Sequence, residues 1–213
     1  METCVFTRVP VSTEQNISLG NIPPPKDSWN IIPITDPTGE PLYNYATMMS
    51  RSLLFYDANK CGDGQTGMNR FNWRGDCHVN DKVDVVLSNG STMTLDLTGG
   101  YHDAGDHIKF GLTQAYSMST LAWGLYEYKT VFDETGQTEN MFNVLKWYTD
   151  LVIRSHPEPY LFAYHVGSGS DHTVWIPPEL QLDSVAPRQV SVATPNKPAS
   201  DVCGSAAATM ALM

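Results

Sequence analysis

Apolar residues recur at three- and four-residue steps in three separate stretches of this 213-residue chain, and they seldom alternate. That period places one apolar stripe along a helix, so the chain reads as a set of amphipathic helices. The first stretch, Tyr43 to Asp57, sets Tyr45, Met48, Met49, Ser52, Leu53 and Tyr56 on one face. A second helix of about four turns carries Ala115, Met118, Leu121, Ala122, Leu125 and Phe132. Glu134-Thr135-Gly136 connects it to a third, Thr138 to Arg154, whose stripe is Met141, Leu145, Tyr148 and Val152. Lys82 to Leu87 is a weak strand candidate. The last element, SDVCGSAAATMALM, opens at a candidate N-cap, Ser200 or Asp201, and its small residues predict an interior helix. It stops at Met213 without a glycine, a basic residue or a polar tail, so the chain is expected to be a truncated domain. These features predict an all-α fold with elaborate loops.

Seven of the 14 prolines fall in the first 41 residues, Pro23-Pro24-Pro25 among them. Residues 1–41 therefore read as an extended arm or linker, with the globular part beginning near Leu42. Two loops, Lys60 to about Asp81 and Ser155 to Asp201, are too long to be simple connections. Long loops on a rigid helical scaffold are where functional groups collect.

The net charge is −10, from 13 Lys and Arg against 23 Asp and Glu, with no basic run. Such a field repels a phosphate backbone or an anionic lipid surface, so neither nucleic acid nor membrane is an expected partner. No apolar run approaches the roughly 20 residues of a membrane span, and the first residues lack the pattern of a signal peptide. Two sequons, Asn16-Ile-Ser and Asn89-Gly-Ser, matter only in a secretory pathway. Cys4, Cys61, Cys77 and Cys203 show no CxxC or other metal-ligand spacing. Cys61 and Cys77 flank a loop-like stretch that a disulfide could close in an oxidising compartment.

The densest chemistry lies in LDLTGGYHDAGDHIKFG, residues 95–111, where Asp103 and Asp106 are separated by Ala104 and Gly105. Three readings fit these residues. The acids are turn formers, and Asp106 could cap the helix that follows. A calcium loop needs further oxygen ligands at short steps and a closing Glu, which the stretch lacks. In the third reading, two carboxylates on one turn hold a single water, one as general base and the other orienting it. An inverting glycosidase needs such a base and a carboxylic acid roughly 6.5–9.5 Å from it.

DLTGGYHDAGDHIKFG resembles the signature of the glycoside hydrolase family nine cellulases. YNYATMMSRSLLFYDANKCG, NRFNWRGDC and the stretch LAWGLYEYKTVFDETGQTENMFNVLKWYTD are similar to that family's first helix, its Trp-Arg-Gly-Asp loop and its second and third helices. VGSGSDHTVW and KPASDVCGSAAATMALM are similar to its substrate segment and a later helix. The match runs in order from about Leu42 to Met213. The resemblance implies an (α/α)6 barrel of which this chain holds roughly the first five helices. It implies an inverting endo-β-1,4-glucanase acting on a β-1,4-glucan, with Asp106 as general base and Asp103 sharing the water. It also implies that His172 and Trp175 line the substrate cleft, Trp175 as a stacking platform for a sugar ring.

Three departures stand out. His102 replaces an aromatic residue, Cys77 replaces a serine, and WIPPELQL keeps one of two frequent tryptophans. The family's general acid and calcium ligands lie late in its domain. No cofactor or metal is therefore expected in this segment, and calcium belongs to a longer parent. Without the acid the chain is expected to be inactive alone, and an alternative reading is a vestigial glycan-binding product. Substrate location implies secretion, and the oligomeric state stays open.

Overall fold

The computed structural model describes residues 44–66, 69–184 and 186–213. The arm expected over 1–41, with Cys4 and the Asn16 sequon, lies outside the described residues.

The first helix, α1, spans Tyr45–Asn59 and starts where Asn44 accepts the Thr47 N–H at 2.9 Å through its side-chain oxygen. That bond satisfies one of the four amides a helix start leaves without a partner. The expected stripe is only partly the buried one. Leu53 is buried, with Met49 and Tyr56 packed against the same core, but Met48 is 53% exposed. Ala46, Leu54 and Asp57 are buried instead.

The hairpin β1 (Lys82–Val86) and β2 (Thr92–Asp96) follows, antiparallel with Lys82 opposite Asp96. Its turn holds Asn89 at the surface. Helix α2 spans Gly111–Glu127, and the chain bends at Tyr128 into a short helix α3, Lys129–Glu134. Phe132, expected on the second helix, is buried from this separate turn. Helix α4, Thr138–Ser155, keeps the predicted span to within a residue, and all four stripe residues are buried.

The expectation of an all-α chain with almost no strand needs correction. A second antiparallel pair, β3 (Phe162–Val166) and β4 (Val190–Ala193), joins segments separated by a long loop. Pairing at that separation leaves no local trace, and four of the five residues of β2 are exposed, which erases the alternation. Helix α5, Ser200–Leu212, begins after Ala199 with no side-chain cap, so neither Ser200 nor Asp201 plays the expected role. Among the described residues only Val202, Ala206 and Thr209 of α5 are buried. The helix is thus interior along one face, where the Thr209 hydroxyl donates to Ala115 O of α2 at 3.2 Å.

Helix α4 touches α1, α2, α3, α5, β2 and β3 and is the centre of the packing. Leu145 and Ala115 are fully enclosed, and Val144, Met118 and Ala122 are 1% exposed. Tyr101 enters this core from the signature segment and donates its hydroxyl to Val144 O at 2.8 Å. Val85, Leu95, Leu97, Leu161, Ala163 and Val166 form a smaller cluster under the hairpin.

Leu145→Ala should destabilise the protein by about 2–5 kcal/mol because no neighbour can refill the space. Met48→Ala should stay within about 0.5 kcal/mol. Denaturant unfolding of the two variants measures the difference.

Candidate active site

The segment carrying Asp103 and Asp106 is tied down on both sides. Upstream, Gly100 has φ 73° and no room for a side chain. A Cβ there would lie 2.6 Å from Leu151 Cδ2 and 2.8 Å from Gln114 Oε1. The same Gln114 oxygen accepts the Tyr101 N–H at 2.8 Å, and the Trp147 indole donates to Gly100 O at 3.0 Å. Tyr101 and His102 are then buried. Residues 103–105 emerge into solvent, and His107, Ile108 and Lys109 return to the interior. The acids thus sit on an exposed turn between two buried anchors.

Asp106 is the more enclosed acid, its side chain 12% exposed. One carboxylate oxygen meets His172 Nδ1 at 2.5 Å, and the other accepts the Ile108 N–H at 3.3 Å. The second bond is the local turn that its residue type favours. Capping is not seen, because α2 starts after Phe110 without a side-chain bond. His172 comes from a 3-10 turn, Gly169–Thr173, and lies over the Phe110 ring at 6.5 Å and 26°.

Trp175 is 88% exposed, and its ring edge would be 3.1 Å from a Cβ on Gly105. Glycine at 105 therefore admits the indole against the turn. The fold brings Asp106, His172 and Trp175 together. Asp103 is exposed at the start of the same turn and lines a cavity of about 80 Å³ with Phe55, Tyr56 and Thr113. A larger cavity, about 650 Å³, lies elsewhere, between the end of α4, β3 and α5. Its lining is mostly apolar, with His156, Thr194 and Ser200 among it, and holds no carboxylate. Charge and aromatic surface meet instead at the exposed turn, where Asp106, His172 and Trp175 lie together.

Sequence patterns missed a network of buried charges behind the turn. Lys109 Nζ meets Asp81 at 2.6 Å, and Arg188 meets the two Asp81 oxygens at 2.9 and 3.0 Å and Asp171 at 3.2 Å. Burial alone raises the Asp81 carboxyl, but Lys109 and Arg188 outweigh it and hold the group below the usual carboxylate range. The Trp-Arg-Gly-Asp loop is fixed separately, with Arg74 Nε on Glu179 at 2.7 Å.

A second cluster brings together donors that their spacing along the sequence does not announce. Cys61, His78 and His102 each offer one ligand atom, all within 4.8 Å of one another and all buried. Cys77 Sγ lies beside this group, 2.7 Å from Cys61 Sγ, where it could supply a fourth donor, and both cysteines are free thiols rather than a disulfide. Both ring nitrogens of His78 and Nε2 of His102 are buried without a hydrogen-bond partner. Buried polar atoms left unsatisfied are costly, and a metal ion would satisfy one nitrogen on each ring. Burial holds His78 down at about 3 and His102 well below its usual range, so both rings are neutral at pH 7, the form that ligates. Two sulfurs and two imidazoles suit a tetrahedral zinc ion with no open position. The only local signal was that His102 and Cys77 both depart from the family pattern.

Metal analysis of the purified chain should return about one zinc per molecule. Cys61→Ala should abolish it, and chelation should lower the melting temperature of the parent chain but not of the variant.

Comparison with known proteins identifies the family of the chain. Residues 45–213 match the profile of Glycosyl hydrolase family 9. Endoglucanase 4 of Bacillus sp. (strain KSM-522) is 42% identical over 139 residues, 65% of this chain and 20% of its own length. Endoglucanase 14 of Arabidopsis thaliana is 39% identical over 169 residues, 79% of this chain and 32% of its own. The cellulase Cel9M of C. cellulolyticum, solved with cellobiose, superimposes with a TM-score of 0.70 at 45% identity, over 80% of this chain and 37% of that one. The catalytic domain of Clostridium thermocellum CelT gives 0.72 at 36%, over 80% and 39%. The chain thus spans well under half the length of the relatives it matches. With the profile covering nearly all the described residues, this chain belongs to glycosyl hydrolase family 9.

Proposed function

We propose that this chain is the base-bearing part of an inverting endo-β-1,4-glucanase. The observation that carries the reading is the contact of Asp106 with His172 at 2.5 Å on a turn flanked by the exposed indole of Trp175. Asp106 would take the proton of a water attacking the anomeric carbon, and Asp103 would orient that water. Trp175 would supply a flat apolar surface for a glucose ring, since sugar C–H faces pack well on indole. The glucan is proposed on two grounds: the resemblance, and relatives named as endoglucanases or solved with cellobiose.

Inversion also needs a carboxylic acid to protonate the leaving oxygen. In this reading a Glu late in the family's domain supplies it, and the five helices here are part of an (α/α)6 barrel. The four-donor cluster at Cys61, Cys77, His78 and His102 would hold a structural zinc, which replaces the expectation of no metal. Its closed donor set gives it no step in hydrolysis. The exposed indole also favours a second reading, glycan binding without chemistry.

The 213-residue chain should show no release of reducing sugar from carboxymethyl cellulose. In a protein carrying this segment and the late Glu, Asp106→Asn should lower kcat about 10²- to 10⁴-fold with cello-oligosaccharide affinity nearly unchanged. Turnover at the parent rate would remove Asp106 from the role of base. Trp175→Ala should instead weaken binding about tenfold in calorimetry.

A further inference from the structure

Arg188 occupies a position that neither its sequence context nor its distance along the chain announces. Its side chain is 6% exposed, and it reaches three segments at once. Nε and Nη2 donate to the two oxygens of Asp81 at 2.9 and 3.0 Å, a forked geometry that fixes the guanidinium plane. Nη1 donates to the backbone carbonyl of His107 at 2.6 Å and to Asp171 Oδ2 at 3.2 Å. His107 directly follows Asp106, and Asp171 directly precedes His172. One guanidinium nitrogen therefore bonds to the chain neighbours of both members of the Asp106–His172 contact.

The partners close the arrangement. Asp171 is fully enclosed and accepts the His107 N–H at 2.9 Å through its other oxygen. Gln181 donates to Asp171 at 3.2 Å and bonds the His107 ring. Lys109 pairs with Asp81 at 2.6 Å and donates to Leu97 O at 2.9 Å. Two aspartates, one lysine and one arginine leave the quartet with no net charge. A buried quartet that is paired and hydrogen-bonded throughout tolerates little movement, because any displacement exposes an uncompensated charge to an apolar interior.

We infer that Arg188 is a positioning residue for the Asp106–His172 pair, clamping the 103–107 turn to the 169–173 turn. The inference rests on the reading of Asp106 as the base. Without the clamp, the turns keep the His107 N–H bond to Asp171, the Gln181 bridge and the surface contact of Asp106 with His172, but the buried Asp171 carboxylate loses the cation that pairs with it and the His107 carbonyl loses its donor, so their relative position loosens. Arg188 touches no substrate and acts through His107 and Asp171. Preorganisation of this kind matters for rate because misplacement of a reacting group by an ångström is costly.

Amide hydrogen exchange on the 213-residue chain tests the clamp. Arg188→Lys keeps the charge but cannot span three partners, and Arg188→Met removes the charge. In Arg188→Lys, the amides of His107, Ile108, Asp171 and Val174 should exchange about tenfold faster, while those of α4 keep the parent rate. Unchanged exchange at the four amides would overturn the inference. Equal acceleration throughout α4 would also overturn it, leaving only a general brace. If Arg188→Met does not fold, Arg188→Lys alone decides. In a protein that hydrolyses glucan, Arg188→Lys should cut kcat by about 10²-fold with little change in KM. Turnover of Asp106→Asn reads the base assignment separately, so either idea can fail while the other stands.

Discussion

Asp81 has a carboxylate sealed from water, and the two cations that neutralise it come from the signature segment and from a loop 107 residues downstream. An isolated charge in that position would be intolerable, so its presence dictates where Lys109 and Arg188 must lie. Once Lys109 is drawn inward, His107 and Ile108 follow it, and the preceding acids are left on a turn at the surface. Once Arg188 is drawn inward, it collects Asp171 and with it His172. The juxtaposition of Asp106 and His172 is thus a consequence of charge compensation beneath them.

The other side of the turn is held by different physics. Gly100 presses against Leu151 and Gln114, Tyr101 bonds into the α4 core, and His102 enters the cluster of Cys61, Cys77 and His78. Imidazole nitrogens buried without hydrogen-bond partners weaken a core, whereas the same rings and the neighbouring thiols around a metal ion would staple the loop between α1 and β1 to the signature segment. A site built on an exposed turn can be geometrically exact only if its ends are fixed, and here both ends are. The aromatic surface is by contrast loosely held, since the ring of Trp175 lies almost wholly in solvent over a residue with no side chain. That suits a platform for a ligand that brings its own apolar face.

Helix α4 was legible in full because it packs on several neighbours, so its stripe and its burial coincide. Helix α1 was legible in span but not in face. Met48 is apolar and in period yet exposed, while Asp57 is buried because Lys60 and Arg70 pair with it at 2.8 and 3.2 Å. Periodicity registers apolar character and is blind to a charge that burial can compensate. The strand β4 and its partner β3 were illegible for another reason. Their hydrogen bonds join segments that no local window contains. Asp103, Asp106, His172 and Trp175 were visible as residue types in a family pattern, and Arg188 was not, because an isolated arginine in a loop looks the same whether it faces water or a buried aspartate.

The sequence by itself determined the helices with a single apolar stripe, the placement of the two acids on a flexible glycine-bordered turn, and membership of a family through motifs in register. Those depend on neighbours within a few residues, or on order along the chain, and both are written in the sequence. Tertiary structure decided which acid meets a histidine, which charges are buried together, and that two cysteines and two histidines converge. Each depends on segments far apart in sequence reaching one point in space, where desolvation makes every unpaired charge or imidazole nitrogen costly enough to select its partner.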